Sequence, residues 1–578
     1  MNQQANTPNA SIEAMRFRAR SAMLGATAIS AAIAFSFVAA QSIAADRQDV
    51  SARDGNEALV AHVLNRVAYG PRPGDVERVR RIGVDAYIDE QLTPERIVVS
   101  DTLQQRLATL DVQRLPAGTL IDGYRTEQRA VREAQRLQAA NGGDAKPADI
   151  DPKNGIDGTR RAQYRRLGLQ AAEARLVQAI ESPRQLQEVM TDFWFNHFNV
   201  FIGKDLDRAL VANYERDAIR PYALGHFRDL LGATARHPAM LFYLDNWLST
   251  GADAVVNRNA KQKAGLNENY AREVMELHTL GVENEGKTGG YTQKDVTELA
   301  RMLTGWTFDG RATGAGGPLE GVESQALFIF APRRHDNGTK VWLGHTVSAN
   351  GEQEGEYALD VLAMHPATAR HISFELAQYF VADEPPQALV DRLTARYLAT
   401  DGDIREVMRT LLYSPEFRSR EAMTAKFKTP YQYVVSAARA SGVPIVNVQP
   451  LVGTLAQLGM PLYGCLTPDG YKNTEAAWLN PEGMARRINF VTALASGRLA
   501  IDRPAPVRVA APAVVAMQVS APAAPVAHAP MRVAPLQAVS LLETLGPTIG
   551  DRTRSVVLGT EPQLAAALVL GSPDFMRR

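Results

Sequence analysis

Apolar residues that recur with helical spacing are the feature that most constrains how this chain folds. Leu59, Val63 and Val67 follow this spacing, and a Gly-Pro pair then ends the pattern. The same reasoning predicts short helices over residues 75–82 and 84–91. Segments of this kind recur along most of the chain, so the sequence predicts an all-α fold built as one large multi-helix domain.

One stretch of the chain departs from this helical pattern. Residues 327–330 and 341–343 are rich in aromatic and β-branched residues, and the turn-forming Asp336-Asn337-Gly338 lies between them. The sequence therefore predicts one β-hairpin insertion near 325–346.

The N-terminal residues are typical of a secretory signal peptide. Three arginines between 16 and 20 precede an apolar run over 22–40, and Ser-Ile-Ala at 42–44 supplies small residues at a cleavage spacing. We expect residues 1–45 to be removed and the mature protein to be extracytoplasmic, either periplasmic or secreted. The alternative is an uncleaved membrane anchor. No later segment approaches the roughly 20 apolar residues of a membrane span, so none is expected after cleavage.

The C-terminal part of the chain contains a change of composition. Residues 502–536 are rich in Pro, Ala and Val, which is typical of an extended linker or loop insertion. We expect a helical domain over 56–499 before this segment. After it, residues 537–578 should form a helical segment that packs back on the main domain.

Charge and cysteine content exclude some classes of protein. Lys plus Arg and Asp plus Glu are both 63, so the net charge gives no reason to propose a nucleic-acid partner. Cys465 is the single cysteine, which excludes an intramolecular disulfide and a cysteine-based zinc cluster. We expect Cys465 to be a small core residue, since a nucleophile would need a neighbouring base that the sequence does not show.

Three motifs resemble a known family. They are Phe193–Val200 (FWFNHFNV), Gly265–Gly281 (GLNENYAREVMELHTLG) and the run from Gly290 to Thr307. In this order they are similar to the bacterial DUF1800 family, and the resemblance extends from about Leu59 to Gly497 and returns in the final helix. The resemblance implies an exported protein of unknown biochemical activity. It also implies a possible partner, a DUF1501-like protein, because the genes of the two families are often neighbours.

The second motif places charged side chains on one helix face. Glu268, Arg272 and Glu276 follow one another at i, i+4 and i+8, and Asn267 precedes them. The functional interpretation is a catalytic carboxylate pair held by Arg272, with Asn267 binding substrate. The alternative is an exposed ladder of ion pairs. His278 lies on a different side of this helix and is expected to be a buried histidine with a hydrogen-bond partner.

The first motif surrounds three polar side chains with aromatic residues. Asn196, His197 and Asn199 lie in this motif, and buried amides and imidazoles require hydrogen-bond partners. We predict His197 as a catalytic general base or metal ligand, with Asn196 and Asn199 binding substrate. The alternative is a structural polar network.

The predicted hairpin loop carries a third polar cluster. His335 is predicted to be catalytic, and Arg334 and Asp336 to bind substrate, on a loop that leans over the helical core as a lid. For Asp336 the alternative is ordinary turn chemistry.

These clusters support two hypotheses. The first is an extracytoplasmic enzyme, hydrolytic or metal-assisted, that acts on an envelope or extracellular polymer; the metal-assisted version requires a divalent metal. The second is a non-catalytic envelope protein that binds a polymer or assists assembly of a partner. An enzyme needs the clusters to meet in one pocket, and we therefore expect His197 to lie within side-chain reach of the helix that carries Glu268.

Overall fold

The helical periodicity of the sequence corresponds to helices in the structure. The computed structural model describes residues 52–140, 156–252, 265–282, 290–308, 327–504 and 534–578. Helices dominate these ranges, which confirms the all-α fold class. Helices over Asp75–Ile82 and Val84–Gln91 have the bounds that the sequence predicts, and the helix Pro562–Leu570 lies in the C-terminal segment predicted to be helical. The predicted signal peptide and most of the predicted linker lie outside the described residues.

The α-helices are numbered here in chain order. Those of the first half are α1 (Ala52–Arg66), α2 (Asp75–Ile82), α3 (Val84–Gln91), α4 (Asp101–Ala108), α5 (Asp111–Arg114), α6 (Ala117–Ala140), α7 (Ile156–Glu181), α8 (Gln185–His197), α9 (Asp207–Asn213), α10 (Phe227–Arg236), α11 (Pro238–Tyr243), α12 (Asn269–Glu276) and α13 (Gln293–Met302). Those of the second half are α14 (Glu352–Met364), α15 (Pro366–Phe380), α16 (Gln387–Ala399), α17 (Ile404–Leu412), α18 (Arg420–Met423), α19 (Pro430–Ser441), α20 (Gln449–Gln457), α21 (Glu475–Trp478), α22 (Pro481–Ala495), α23 (Ala538–Leu545), α24 (Asp551–Leu558), α25 (Pro562–Leu570) and α26 (Pro573–Met576). A π-helix follows α9 over Tyr214–Ile219.

Local sequence explains where individual helices begin and end, and α19 shows this most fully. Thr429 and Gln432 form a reciprocal capping box at its start, and Pro430 occupies the first turn, where its missing N–H costs nothing. Gly442 ends the helix in the left-handed conformation, with φ of 63°.

The strands differ from the predicted hairpin. Strand β1 (Trp306–Phe308) pairs with β2 (Phe328–Phe330), and β3 (Lys340–Trp342) pairs with β4 (His345–Val347), both antiparallel. The prediction that 327–330 would pair with 341–343 was therefore wrong, although both segments contain strands. The tight turn is Leu343–Gly344 rather than the Asp-Asn-Gly sequence. Both turn residues have positive φ, as a two-residue hairpin of matching twist requires.

The described helices pack around a continuous apolar core. Residues Ala58–Arg578 form one compact unit, and Trp194, Trp306 and Trp342 are fully buried in it. The C-terminal helices join this core, and the Lys428 amide donates to the carbonyl of Met576 at 2.9 Å. In the described ranges, no helix combines the length and apolarity needed to cross a membrane.

Candidate functional site

The last turn of α8 is the centre of the polar contacts in this region. Phe193 and Trp194 are buried and fix the helix in the core, so the polar side chains that follow them cannot all reach solvent. Asn196, His197 and Asn199 instead contact three different parts of the chain, as described below.

Asn196 binds a loop that lies far away in the sequence. Its amide nitrogen donates to the carbonyl of Tyr471 at 2.8 Å, and its amide oxygen accepts from the Tyr471 N–H at 2.7 Å. Gly470 makes this approach possible: its φ is +66°, and a Cβ there would lie 2.2 Å from the Asn196 carbonyl oxygen. We call residues 460–472 the capping loop.

Asn199 binds the same capping loop closer to its centre. Its amide donates to the carbonyls of Thr467 at 2.8 Å and Cys465 at 3.1 Å. Both asparagines predicted to bind substrate therefore use their amides to fix a loop.

A narrow pocket lies between α8 and the capping loop. Its lining includes Arg175, Asp192, Asn196, Asn199 and Tyr471. The structure thus places two of the predicted residues in one concave site and adds an ion pair that the sequence analysis did not anticipate.

Arg175 forms the charged floor of this pocket. Its guanidinium contacts Asp192 and donates to Glu215 at 3.2 Å. It also lies over the rings of Phe195 and Tyr463, at 4.9 and 5.0 Å from their centroids. Burial alone would lower the pKa of Arg175, but the two carboxylates raise it well above its ordinary value, so the residue is a fixed cation.

The π-helix after α9 places Glu215 in this network. A π-turn shifts side chains relative to a regular helix, and such turns are frequent at functional sites. Glu215 also accepts from Arg220 at 2.9 Å, and Arg220 pairs with Glu188 at 2.5 Å. Burial raises the pKa of Glu188 and of Asp192 despite these partners. The network is a closed set of buried ion pairs.

His197 lies on the opposite side of the α8 turn and is fully engaged. Its Nδ1 is 2.7 Å from a carboxylate oxygen of Glu375, and its Nε2 is 3.1 Å from the carbonyl oxygen of His278. Both ring nitrogens therefore face oxygen atoms. Burial alone would raise the pKa of Glu375, but His197 and His371 lower it to about 2.

Two further histidines surround this ion pair. The ring centroids of His278 and His371 lie 5.8 and 6.2 Å from that of His197. His278 is buried, its pKa is well below the ordinary value because of burial, and its Nε2 has no hydrogen-bond partner among the described residues. Within the described part of the chain, no group of His, Cys, Asp or Glu side chains is arranged to hold a metal ion.

The helix face with Glu268, Arg272 and Glu276 forms a separate network. Arg272 pairs with Glu276 at 3.0 Å and donates to Gln293 of α13 at 2.6 Å, and Glu268 accepts from Thr297 at 2.8 Å. These partly exposed side chains join α12 to α13. The expected network shared by His197 and Glu268 is not found, because each is bonded to other partners.

Asn267 and Arg334 bind the backbone that follows α11. The Asn267 amide donates to the carbonyl of Asp245 at 3.4 Å, and Arg334 donates to the carbonyl of Trp247 at 2.7 Å. Asp336 instead pairs with Arg301 at 3.0 Å.

His335 is part of a third network and does not form a lid. Its side chain is 1% exposed, and its Nε2 is 3.0 Å from Glu354. Glu354 also contacts the Lys340 ammonium at 2.6 Å, with both side chains fully buried. The predicted loop tip is therefore folded into the protein, where His335 and Lys340 both contact Glu354. The predicted clusters therefore lie in separate networks rather than in one pocket.

A carboxyl group between Arg272 and Glu276 has the properties of an acid–base group. Glu273 is partly exposed, and no described residue donates a hydrogen bond to its carboxylate. Burial, assisted by the nearby charges of Glu276 and Asp469, raises its pKa to about 7. Asp469, whose charge contributes to this shift, lies on the capping loop.

The fold and these contacts define a large, mostly α-helical protein with a loop-capped polar site. A family model described as "Protein of unknown function (DUF1800)" matches residues 62–577, nearly the whole chain. The chain belongs to the DUF1800 family. Neither a curated protein nor a solved structure is detectably similar to it.

Sequence reasoning missed Arg175, Glu215, Glu273 and Asp469. For Glu273 a signal was available, since it lies within the DUF1800 motif and close to the apolar side of its helix. The other three are brought to the site by contacts between distant segments, which no local pattern reports.

Proposed function

We propose that this protein is an exported enzyme that hydrolyses an envelope or extracellular polymer, with Glu273 as its general acid–base residue. The observation that carries this proposal is the Glu273 carboxyl group, which is partly exposed and has no hydrogen-bond partner in the described structure. Most other carboxyl groups near the site are neutralised by an arginine or a histidine, as Asp192 and Glu375 are.

The chemistry of Glu273 suits proton transfer at neutral pH. A carboxyl group with a pKa of about 7 populates both protonation states there, so it can donate or accept a proton during turnover. Arg272 and Glu276 flank Glu273 on α12. The charge of Glu276 raises the pKa of Glu273, and the charge of Arg272 lowers it. In this proposal Arg272 and Glu276 adjust the pKa of Glu273, and His197 positions α12, which carries Glu273.

A second candidate function is non-catalytic polymer binding or assistance in the assembly of a partner. The separation of the Glu268, His197 and His335 networks favours it, because an enzyme was expected to gather these groups in one pocket. A DUF1501-like protein is the partner that the family resemblance suggests. Both candidates assume export, and mature protein should then begin near Ala45 or Asp46 on N-terminal sequencing.

Hydrolysis of a panel of polymers tests the enzyme proposal. The panel contains polysaccharides, peptidoglycan, casein and a polyester, each assayed with and without EDTA to test the metal-assisted version. Glu273→Gln should lower turnover by about 100-fold or more while leaving polymer binding intact.

Glu181→Gln is the matched control. Glu181 also has a raised pKa because of burial, but it pairs with Arg106 on a different part of the protein. Equal activity of the Glu273→Gln and wild-type proteins would refute the role of Glu273. Binding of a polymer by wild-type protein without turnover would establish the second candidate instead.

A further inference from the structure

Two buried arginines meet at the C-terminal end of α15. Arg66 of α1 is fully buried, and Arg578 is 3% exposed. Arg66 donates from Nη1 to the carbonyl of Phe380 at 3.0 Å, and Arg578 donates from Nη2 to the carbonyl of Tyr379 at 2.7 Å. Because Tyr379 and Phe380 are consecutive residues, the two guanidinium groups lie close together.

The other contacts of these guanidinium groups are uncharged. Arg66 also donates to the carbonyl of Ala422, and the central carbon of the Arg578 guanidinium lies 4.5 Å from the ring centroid of Tyr379. Neither arginine forms an ion pair with a carboxylate in the described ranges. Carbonyl groups and an aromatic face stabilise a cation, but they do not neutralise its charge.

The carboxylates whose charges interact with these arginines are bonded to other cations. They are Asp383 and Asp192. Asp383 binds the ammonium of Lys426, and Asp192 contacts Arg175. An arginine does not lose its proton in a protein, so the two guanidinium groups at the end of α15 are buried positive charges without a counter-charge of their own.

The environment of His62 reflects the same accumulation of positive charge. His62 lies one turn before Arg66 on α1 and is 3% exposed. Burial lowers the pKa of His62 well below its ordinary value, and the charges of Arg66 and Arg578 lower it further. The imidazole is therefore neutral at pH 7 and adds no charge to the region.

Three nitrogen atoms of the two guanidinium groups point to a ligand. The Nε atom of Arg66 and the Nε and Nη1 atoms of Arg578 are shielded from solvent and have no hydrogen-bond partner among the described residues. A buried N–H group without an acceptor costs free energy, and the cost is larger when the group carries a charge. Two neighbouring cations that both leave donors unused indicate an anion that accepts hydrogen bonds from them.

We propose that Arg66 and Arg578 bind a halide ion beside the last turn of α15. The nitrogen atoms without partners are shielded from solvent, so the protein must enclose the ligand, and a monatomic anion needs the least room. A halide also accepts N–H groups from any direction, and its charge offsets that of the arginines. This site does not involve Glu273, so it is independent of the proposed function.

A halide at this position joins three segments that are distant in the sequence. Arg66 belongs to α1, and the two carbonyls belong to α15. The backbone of Arg578 is fixed by its N–H, which donates to the carbonyl of Lys426 at 2.9 Å. An ion that binds only the folded protein stabilises it by mass action, so the unfolding of this protein should depend on halide concentration.

Thermal unfolding of the full chain at increasing chloride concentration tests this inference. Sodium chloride replaces sodium gluconate at constant ionic strength, so the screening of surface charges does not change. Chloride should raise the melting temperature along a saturating curve, by about 2–3 °C at roughly 100 times its Kd. A melting temperature that ignores chloride, or a rise that does not saturate, would overturn the inference.

Two variants separate halide binding from the general loss of a buried arginine. Arg66→Met should abolish the response to chloride. Arg439→Met is the matched control, because Arg439 is also 3% exposed and donates to the carbonyl of Gly70 at 2.9 Å, but it pairs with Asp75 at 3.0 Å. This control should lose stability and keep the full chloride response. Equal responses in the two variants would contradict the assignment.

Anomalous scattering from crystals of the wild-type protein soaked in sodium bromide locates the ion without relying on a variant that folds. We expect a bromide ion within hydrogen-bond distance of the Arg66 Nε atom and of the Arg578 guanidinium. A water molecule at this position, with bromide bound only elsewhere on the protein, would refute the halide site.

Discussion

Gly470 offers the sharpest test of how α8 holds the capping loop. Its φ of +66° costs a residue with a side chain about 1–2 kcal/mol. An alanine Cβ would also lie 2.2 Å from the carbonyl oxygen of Asn196, so the loop or Asn196 must move. Movement breaks the two hydrogen bonds between the half-buried amide of Asn196 and Tyr471, and the loss of two such bonds costs about 1–3 kcal/mol. Gly470→Ala should therefore destabilise the protein by about 2–5 kcal/mol.

Gly459→Ala is the matched control for backbone strain. Gly459 has a φ of +83°, but a Cβ there meets no heavy atom within 4 Å. Its substitution should cost only the conformational part, about 1–2 kcal/mol. Urea unfolding followed by tryptophan fluorescence gives both values. If Gly470→Ala costs no more than Gly459→Ala, the close contact with Asn196 does not constrain the loop, and the reasoning fails.

Three further substitutions test the buried charges. Asp207→Asn should raise the melting temperature at pH 7, because burial raises the pKa of Asp207 well above its ordinary value and no described residue bonds its carboxyl group. The gain should vanish below about pH 4, where both states are protonated; equal melting temperatures at pH 7 would contradict this. The folded pKa of Glu375 is lowered to about 2, so its pair with His197 stabilises the fold above the unfolded pKa of 4.5 and is lost as the pH falls towards 2. Glu375→Gln should remove that part of the acid dependence, and a profile parallel to wild type would argue against the pair. Lys340→Met leaves Glu354 without its cation and should cost about 3–5 kcal/mol in urea unfolding, so an unchanged midpoint would refute it.

The helices were predictable because their signals are local. Apolar spacing runs through each helix, and a glycine lies directly after the last residue of both α2 and α25. The strand pairing was not predictable in the same way. Trp306–Phe308 lies within a helix-like motif, and its partner strand lies beyond 19 intervening residues, so the sequence suggested the nearer but wrong pairing.

The candidate site was predictable only in part. The first motif correctly indicated the buried polar residues His197 and Asn199, because amides and imidazoles among aromatic residues need partners. Glu273 was overlooked because its neighbours Glu268, Arg272 and Glu276 form the more regular pattern. At 100° per residue, however, Glu273 lies about 60° from the buried Tyr270, and a carboxylate so close to the apolar side of a helix is an unusual placement.

The capping loop and the segment that carries Glu273 both depend on the end of α8. Asn199 fixes the capping loop that carries Asp469. His197 binds the carbonyl of His278, and the His278 N–H donates to the carbonyl of Glu273 at 3.1 Å. The end of α8 therefore holds both the capping loop and the turn that follows Glu273, without a contact to the Glu273 carboxylate. In the proposed enzyme, His197 and Asn199 would then act by positioning. Their substitution should alter turnover through geometry, while the pKa of Glu273 should set the pH profile.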